Sequence, residues 1–197
     1  MNTHETIELV VIYADIVGST NIVNKLPPEK IPLFYKLFSN EVSRVINDFG
    51  GVVYKYVGDE VIGVFLIPET GWIPTFDNSI RCISYIKDVT NYVISPLAQD
   101  ISLPKIQCRI GADYGEAKIV NIGVDAVHLS AEILGNVMNI AAKIRGKAEP
   151  GEITIGENYR QQLPVSYKLI CNKIEPLIIN EKEYDVFHID FSKLSLK

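Results

Sequence analysis

An α+β fold, a sheet with helices packed on it, is what this 197-residue chain predicts. Three observations carry that expectation. The runs Val10–Thr20 and Lys55–Phe65 are rich in Val and Ile and read as strands, each interrupted by an aspartate beside a glycine turn. Apolar residues recur at helical spacing between Ile31 and Phe49. The order strand, helix, hairpin, helix, strand pair, helix, short strands mixes both element types along the whole chain, while leaving the topology open.

Each element has a local reason. Glu8 to Asp15 reads as a buried strand. Pro27-Pro28-Glu29 opens the first helix, since proline suits the first turn and glutamate the positive end of the dipole. Its apolar face is Ile31, Phe34, Leu37, Phe38, Val42, Val45 and Ile46, and Gly50-Gly51 ends it. Val52–Tyr56 and Glu60–Ile67 read as a hairpin through Val57-Gly58-Asp59. Ile67–Asp77, with Pro68, Gly71 and Pro74, reads as a loop, and Asn78–Val93 as a helix. Ile106–Ala112 and Glu116–Ile122 read as a strand pair turning at Asp113-Tyr114-Gly115, followed by a polar connection over Gly123–Ser130. Gly135–Lys147 reads as a helix with Val137, Ile140, Ala141 and Ile144 on one face, stopped by Glu149-Pro150-Gly151. Short strands around Ile153, Leu169 and Val186 complete the chain. No repeat or linker divides it, so residues 1–197 read as a single domain.

Composition narrows the function classes. Apolar residues at 47% and charged residues at 22% describe a globular protein rather than a disordered one. A net charge of −5 disfavours a nucleic-acid binder. A ferredoxin-like RNA-binding sheet would also need a basic, aromatic RNP-like run, which this sequence lacks. Cys82, Cys108 and Cys171 form no CxxC pair and read as reduced thiols, and His4, His128 and His188 lie too far apart in sequence for an evident zinc cluster. The polar opening MNTHET and the lack of an apolar stretch of ~18 residues predict neither a signal peptide nor a membrane span. The expectation is a soluble, cytoplasmic protein with no membrane partner.

The chemistry concentrates at Asp15 and Asp59. A carboxylate in an apolar strand is costly unless a cation or hydrogen bonds satisfy it. Two such aspartates on adjacent strands would form an all-oxygen site for Mg²⁺ or Mn²⁺. The Gly18-Ser19-Thr20 turn after Asp15 can aim backbone N–H groups at phosphates. Metal beside a phosphate cradle points to nucleotide chemistry. Each residue also has a bland reading: Asp15 capping a turn, Lys55 and Glu132 solvated at the surface, Lys143 on the outer face of its helix. Arg145 and Lys147 read as a solvated helix end, and Tyr13, Tyr54, Tyr56 and Tyr114 as half-buried strand residues.

Four blocks in order, YADIVGST, GGVVYKYVGDEVIGVF, RIGADYGEAKIVNIG and EILGNVMNIAAKIRGKAEPGEITI, resemble the class III nucleotide cyclase catalytic domain over about Glu8 to Phe187. The resemblance implies a ferredoxin-like, antiparallel-rich sheet and a head-to-tail homodimer with active sites shared across the interface. It implies conversion of a nucleoside triphosphate to a 3′,5′-cyclic monophosphate and pyrophosphate. Asp15 and Asp59 would bind two divalent metal ions, with the Ile16 carbonyl as a further ligand. Val17, Gly18, Ser19 and Thr20 would hold the triphosphate. From the partner subunit, Asn139 would orient the ribose, and Lys143 stands where the family usually has a transition-state arginine. Lys55 and Glu132 match the two base-reading positions, and Lys182 loosely matches a further phosphate-binding lysine.

Two departures bear on the substrate. Lysine at 143 supplies charge without a planar fork, and glutamate at 132 stands where adenylate cyclases usually have aspartate. A lysine donor beside a carboxylate acceptor suits adenine, cytosine or a rotated uracil, and the longer acidic arm with flanking tyrosines suits a smaller ring. With no sensor or membrane domain read in the sequence, the chain resembles the stand-alone pyrimidine cyclases of bacterial phage defence, which make cyclic UMP or cyclic CMP for a partner effector. The reading leans to a pyrimidine cyclase. Adenylate cyclase is the alternative, and a catalytically silent nucleotide-binding module, suggested by Lys143, is the second.

Overall fold

β1 (Glu5–Ile16) is the spine of the sheet, buried continuously from Leu9 to Ile16. A computed structural model describes residues 5–70, 72–123 and 130–194. β1 lies antiparallel between β3 (Glu60–Leu66) and β4 (Cys108–Ile122). The sheet order is β2-β3-β1-β4-β6-β8-β7, with β5 also paired to β4. β2 is Val52–Val57, β5 Ser130–Leu134, β6 Ile153–Gly156, β7 Cys171–Ile179 and β8 Lys182–Ile189. All neighbours are antiparallel except β4 and β6, which agrees with the α+β expectation.

Alternation along β1 divides the core. Val10, Ile12, Ala14 and Ile16 meet Phe34, Phe38, Val42 and Ile46 of α2 (Ile31–Asp48) and Ile80 and Ile83 of α3 (Trp72–Val89). Leu9, Val11 and Tyr13 on the other face meet Val137, Met138 and Ala141 of α5 (Asn136–Arg145). Among the described residues no helix is long and apolar enough to cross a membrane, and all three cysteines are free.

Several elements differ from the sequence reading. β4 is one continuous strand: Asp113, Tyr114 and Gly115 pair with Val11, Val10 and Leu9. The cross-strand ladder overrides their turn propensity. Asp113 is fully buried rather than at a turn. Its carboxylate accepts from Tyr184 Oη at 2.7 Å and the Tyr159 N–H at 3.3 Å, and burial pushes its pKa up to about 6. The helix expected from Asn78 starts at Trp72, because Pro74 sits in the first turn, where its missing N–H is no loss. It then continues through a π turn (Thr90–Ile94) into α4 (Ser95–Asp100). The strand expected around Leu169 begins at Cys171; Leu169 follows the short helix α7 (Val165–Lys168). The helices α1 (Ser19–Val23) and α6 (Glu157–Gln162) and the strand β5 were not legible. Each is too short to show a period. Residues 124–129 of the expected polar connection lie outside the described residues.

Candidate active site

Register builds the acidic end of the site. Asp15 is the penultimate residue of β1 and sits directly opposite Arg109 on β4. β1 and β3 pair through Ala14 and Val61. Continued by two residues, that register sets Asp59, at the β2–β3 tip, level with Ile16. Gly58 before it has φ 65°, the left-handed conformation glycine adopts without strain. The two aspartates and Ile16 line one cavity of about 480 Å³, together with Gly18, Ser19, Thr20, Asn21, Glu60, Arg109 and Arg145.

The phosphate turn faces the same space. Gly18, with φ 68°, precedes α1, and no side chain caps that helix. The Ile22 N–H is the first of the turn to find an intrahelical carbonyl, that of Gly18. The amides before it therefore stand uncapped at the cavity wall. Val17 stands apart from these three residues. Its N–H already donates to the Gln107 carbonyl at 2.8 Å, and the residue does not line the cavity.

Arginines answer the carboxylates. Arg109 Nε donates to Asp15 Oδ2 at 2.9 Å, and its Nη2 is ion-paired with the same oxygen at 2.8 Å. Arg145 Nη1 reaches the same oxygen at 3.0 Å, and its Nη2 lies 2.8 Å from Glu60 Oε1. Burial raises the pKa of Asp15, Arg109 opposes that, and Asp59 adds to it. Burial likewise raises Glu60, against Arg145. Arg145 is thus no solvated helix end. Gly111 seats it: a Cβ there would lie 2.3 Å from the Arg145 backbone nitrogen. Gly111→Ala is expected to cost about 1–3 kcal/mol, the range for overpacking a filled core, as read by urea unfolding. Lys147 instead pairs with Glu175, near the surface.

The donor set fits a divalent ion. Asp59 Oδ2 is buried without a hydrogen-bond partner, an arrangement that costs free energy unless a cation or water answers it. Asp15 adds a second hard oxygen, as Mg²⁺ or Mn²⁺ requires. Among the described residues no cluster of three or more His, Cys, Asp or Glu forms an all-side-chain cage.

A second constellation gathers over the Tyr13 face. Lys55 of β2 and Glu132 of β5 are ion-paired through Glu132 Oε2. Tyr54 Oη donates to the same oxygen at 2.7 Å and accepts from the Ile133 N–H at 3.0 Å, while Ser130 Oγ donates to Oε1 at 3.0 Å. These donors, Lys55 first, pull the Glu132 pKa down to about 2. Strict alternation would turn Tyr54 and Lys55 to opposite sides. A bulge between Val53 and Lys55 breaks that alternation, and both reach Glu132. Tyr13, buried nearby, is raised to about 12 by desolvation and then by Glu60 and Tyr54.

Three expected residues stand apart from the acidic cavity. Asn139 and Lys143 lie exposed on α5, and Lys182 is exposed at the β7–β8 turn. None lines the cavity of their own chain.

Comparison with known proteins finds related sequences and folds. The model of the adenylate and guanylate cyclase catalytic domain matches residues 1–187. A cytidylate cyclase of Escherichia coli is 28% identical over 97% of this chain and 42% of its own length. A cytidylate cyclase of Staphylococcus aureus is 26% identical over 88% of this chain and 42% of its own. The chain thus spans under half the length of these relatives. The crystal structure of the adenylyl cyclase CyaB from P. aeruginosa superposes with a TM-score of 0.86 at 21% identity, covering 99% of this chain and 100% of that one. It shares the fold.

Proposed function

We propose that this chain, which belongs to the adenylate and guanylate cyclase catalytic domain family, converts a pyrimidine nucleoside triphosphate to its 3′,5′-cyclic monophosphate and pyrophosphate. The observation that carries the reading is the single cavity in which Asp15 and the unpartnered Asp59 oxygen face the uncapped start of α1. When bound there, two Mg²⁺ or Mn²⁺ ions would lower the pKa of the ribose 3′-hydroxyl and offset charge on the leaving pyrophosphate. Asp15, Asp59 and the Ile16 carbonyl would hold the ions. The amides of Gly18, Ser19 and Thr20 would bind the triphosphate.

Asn139 and Lys143 would come from the partner subunit of a homodimer, orienting the ribose and countering transition-state charge. Their exposure on α5, away from their own cavity, supports that assignment. Lys182, also exposed, would reach phosphate from across the same interface. The pyrimidine preference is supported by the two cytidylate cyclases among the relatives and by the Lys55–Glu132 pair. The ammonium can donate to a ring acceptor of cytosine while the carboxylate accepts from its amino group. The product would act on a cyclic-nucleotide effector, as the phage-defence resemblance implies.

The deciding experiment supplies Mn²⁺ with ATP, GTP, CTP or UTP separately and identifies the product by mass spectrometry. Cyclic CMP or cyclic UMP is expected to dominate. Cyclic AMP alone would overturn the pyrimidine preference and leave the cyclase reading standing. No cyclic product from any triphosphate would favour the silent nucleotide-binding module. Glu132→Ala is expected to flatten the ranking among CTP, UTP and ATP. An unpaired polar group in a closed site costs about 1–3 kcal/mol, whereas phosphate contacts are common to all substrates. Comparison of kcat/KM across the three triphosphates checks this, and an unchanged ranking would remove Glu132 from base selection.

A further inference from the structure

The resemblance gives Asn139 and Lys143 of α5 their roles and passes over Arg145. We infer that Arg145 is a phosphate-binding residue of its own subunit's cavity, taking the pyrophosphate end of the triphosphate with its guanidinium; this rests on the cyclase reading above. Its backbone is seated against Gly111, which brings the side chain into the cavity that holds Asp59 and the α1 turn.

The donor inventory shows what this side chain has to offer. Asp15 Oδ2 receives two N–H donors, Nε of Arg109 and Nη1 of Arg145, and Arg109 Nη2 is ion-paired with the same oxygen. A carboxylate oxygen offers about two lone-pair positions, so the two guanidiniums already fill this one and Arg145 shares its acceptor with Arg109. Arg145 Nε is buried with no partner at all. Glu60 Oε1 is ion-paired with Nη2 at 2.8 Å but accepts no hydrogen bond from it. A divalent ion on Asp15 would take one lone pair and repel the guanidinium. Arg145 would keep Glu60 and turn its remaining donors to the nearest anion in the cavity, a phosphate. The planar fork suits that contact, and the lysine at position 143 cannot supply one. One helix would then serve two sites, its own through Arg145 and the partner's through Asn139 and Lys143.

The test measures inorganic pyrophosphate binding to the whole chain in saturating Mn²⁺ by calorimetry, for wild type, Arg145→Gln and Arg145→Lys. Mn²⁺ binding without pyrophosphate is measured in parallel. Arg145→Gln is expected to weaken pyrophosphate about tenfold or more, and Arg145→Lys, which keeps the charge and loses the fork, about threefold. Mn²⁺ binding should hold or tighten, since a cation beside Asp15 is removed. Unchanged pyrophosphate affinity in either folded variant overturns the inference. A parallel loss of Mn²⁺ affinity also overturns it, making Arg145 only a brace for the carboxylates. A wild-type chain that binds Mn²⁺ and pyrophosphate but cyclises no triphosphate overturns the cyclase reading, while the loss in Arg145→Gln would still support this inference.

Discussion

Asp59→Asn is expected to remove turnover while leaving the fold standing. Asparagine keeps the size and shape of the side chain and deletes its charge. The loss should exceed the roughly 100-fold that removal of an outer-shell partner costs a metal site, because Asp59 would be a direct ligand. Its Oδ2 is buried with no hydrogen-bond partner, so the substitution breaks no hydrogen bond at that oxygen and should not lower the unfolding free energy. Asp15→Ala is a different case. Asp15 is ion-paired with Arg109 and Arg145, and its removal leaves two half-buried guanidiniums short of an acceptor. That variant should lose activity and also about 1–3 kcal/mol of stability. Turnover, Mn²⁺ binding and urea unfolding separate the two substitutions. Full activity in Asp59→Asn would remove the metal assignment.

The contrast between the two aspartates shows what the sequence could carry. Both were legible as acids inside apolar runs, and the α+β class followed from hydrophobic periods long enough to count. Lys55 and Glu132 are 77 positions apart, and only the family motif relates them. Arg109 and Arg145 were missed for a physical reason. Their importance lies in cross-strand register, Asp15 against Arg109, and in the close approach of α5 at Gly111. Register and helix docking are tertiary facts that no local spacing encodes. One signal was present, the glycine at 111 in the middle of a strand, which marks a place where another backbone comes near. Asp113 misled the reading for the same reason: Asp-Tyr-Gly is turn chemistry locally, and a ladder partner on β1 outweighs it.

Mixing Asp59→Asn chains with Lys143→Ala chains, each inactive alone, is expected to restore turnover. Lys143 and Arg145 are two residues apart on α5, about 200° around the helix axis, so they face opposite directions. Arg145 lines its own chain's cavity and Lys143 stays outside it, exposed. Asn139, one turn before Lys143, shares that outward face. If these two residues act at all in catalysis, the site they serve belongs to a second copy. In a symmetric dimer each site would combine the Asp15–Asp59 cavity of one subunit with the Asn139–Lys143 face of the other. A heterodimer of the two variants then carries both lesions in one site and none in the other. Random exchange makes half the dimers heterodimers with one working site of two, so activity should recover to roughly a quarter of wild type. Differently tagged chains, purified through both tags, should reach about half. A verified heterodimer with no recovered activity would mean that Lys143 acts within its own chain or only through the fold, and the shared-site arrangement would have to be abandoned.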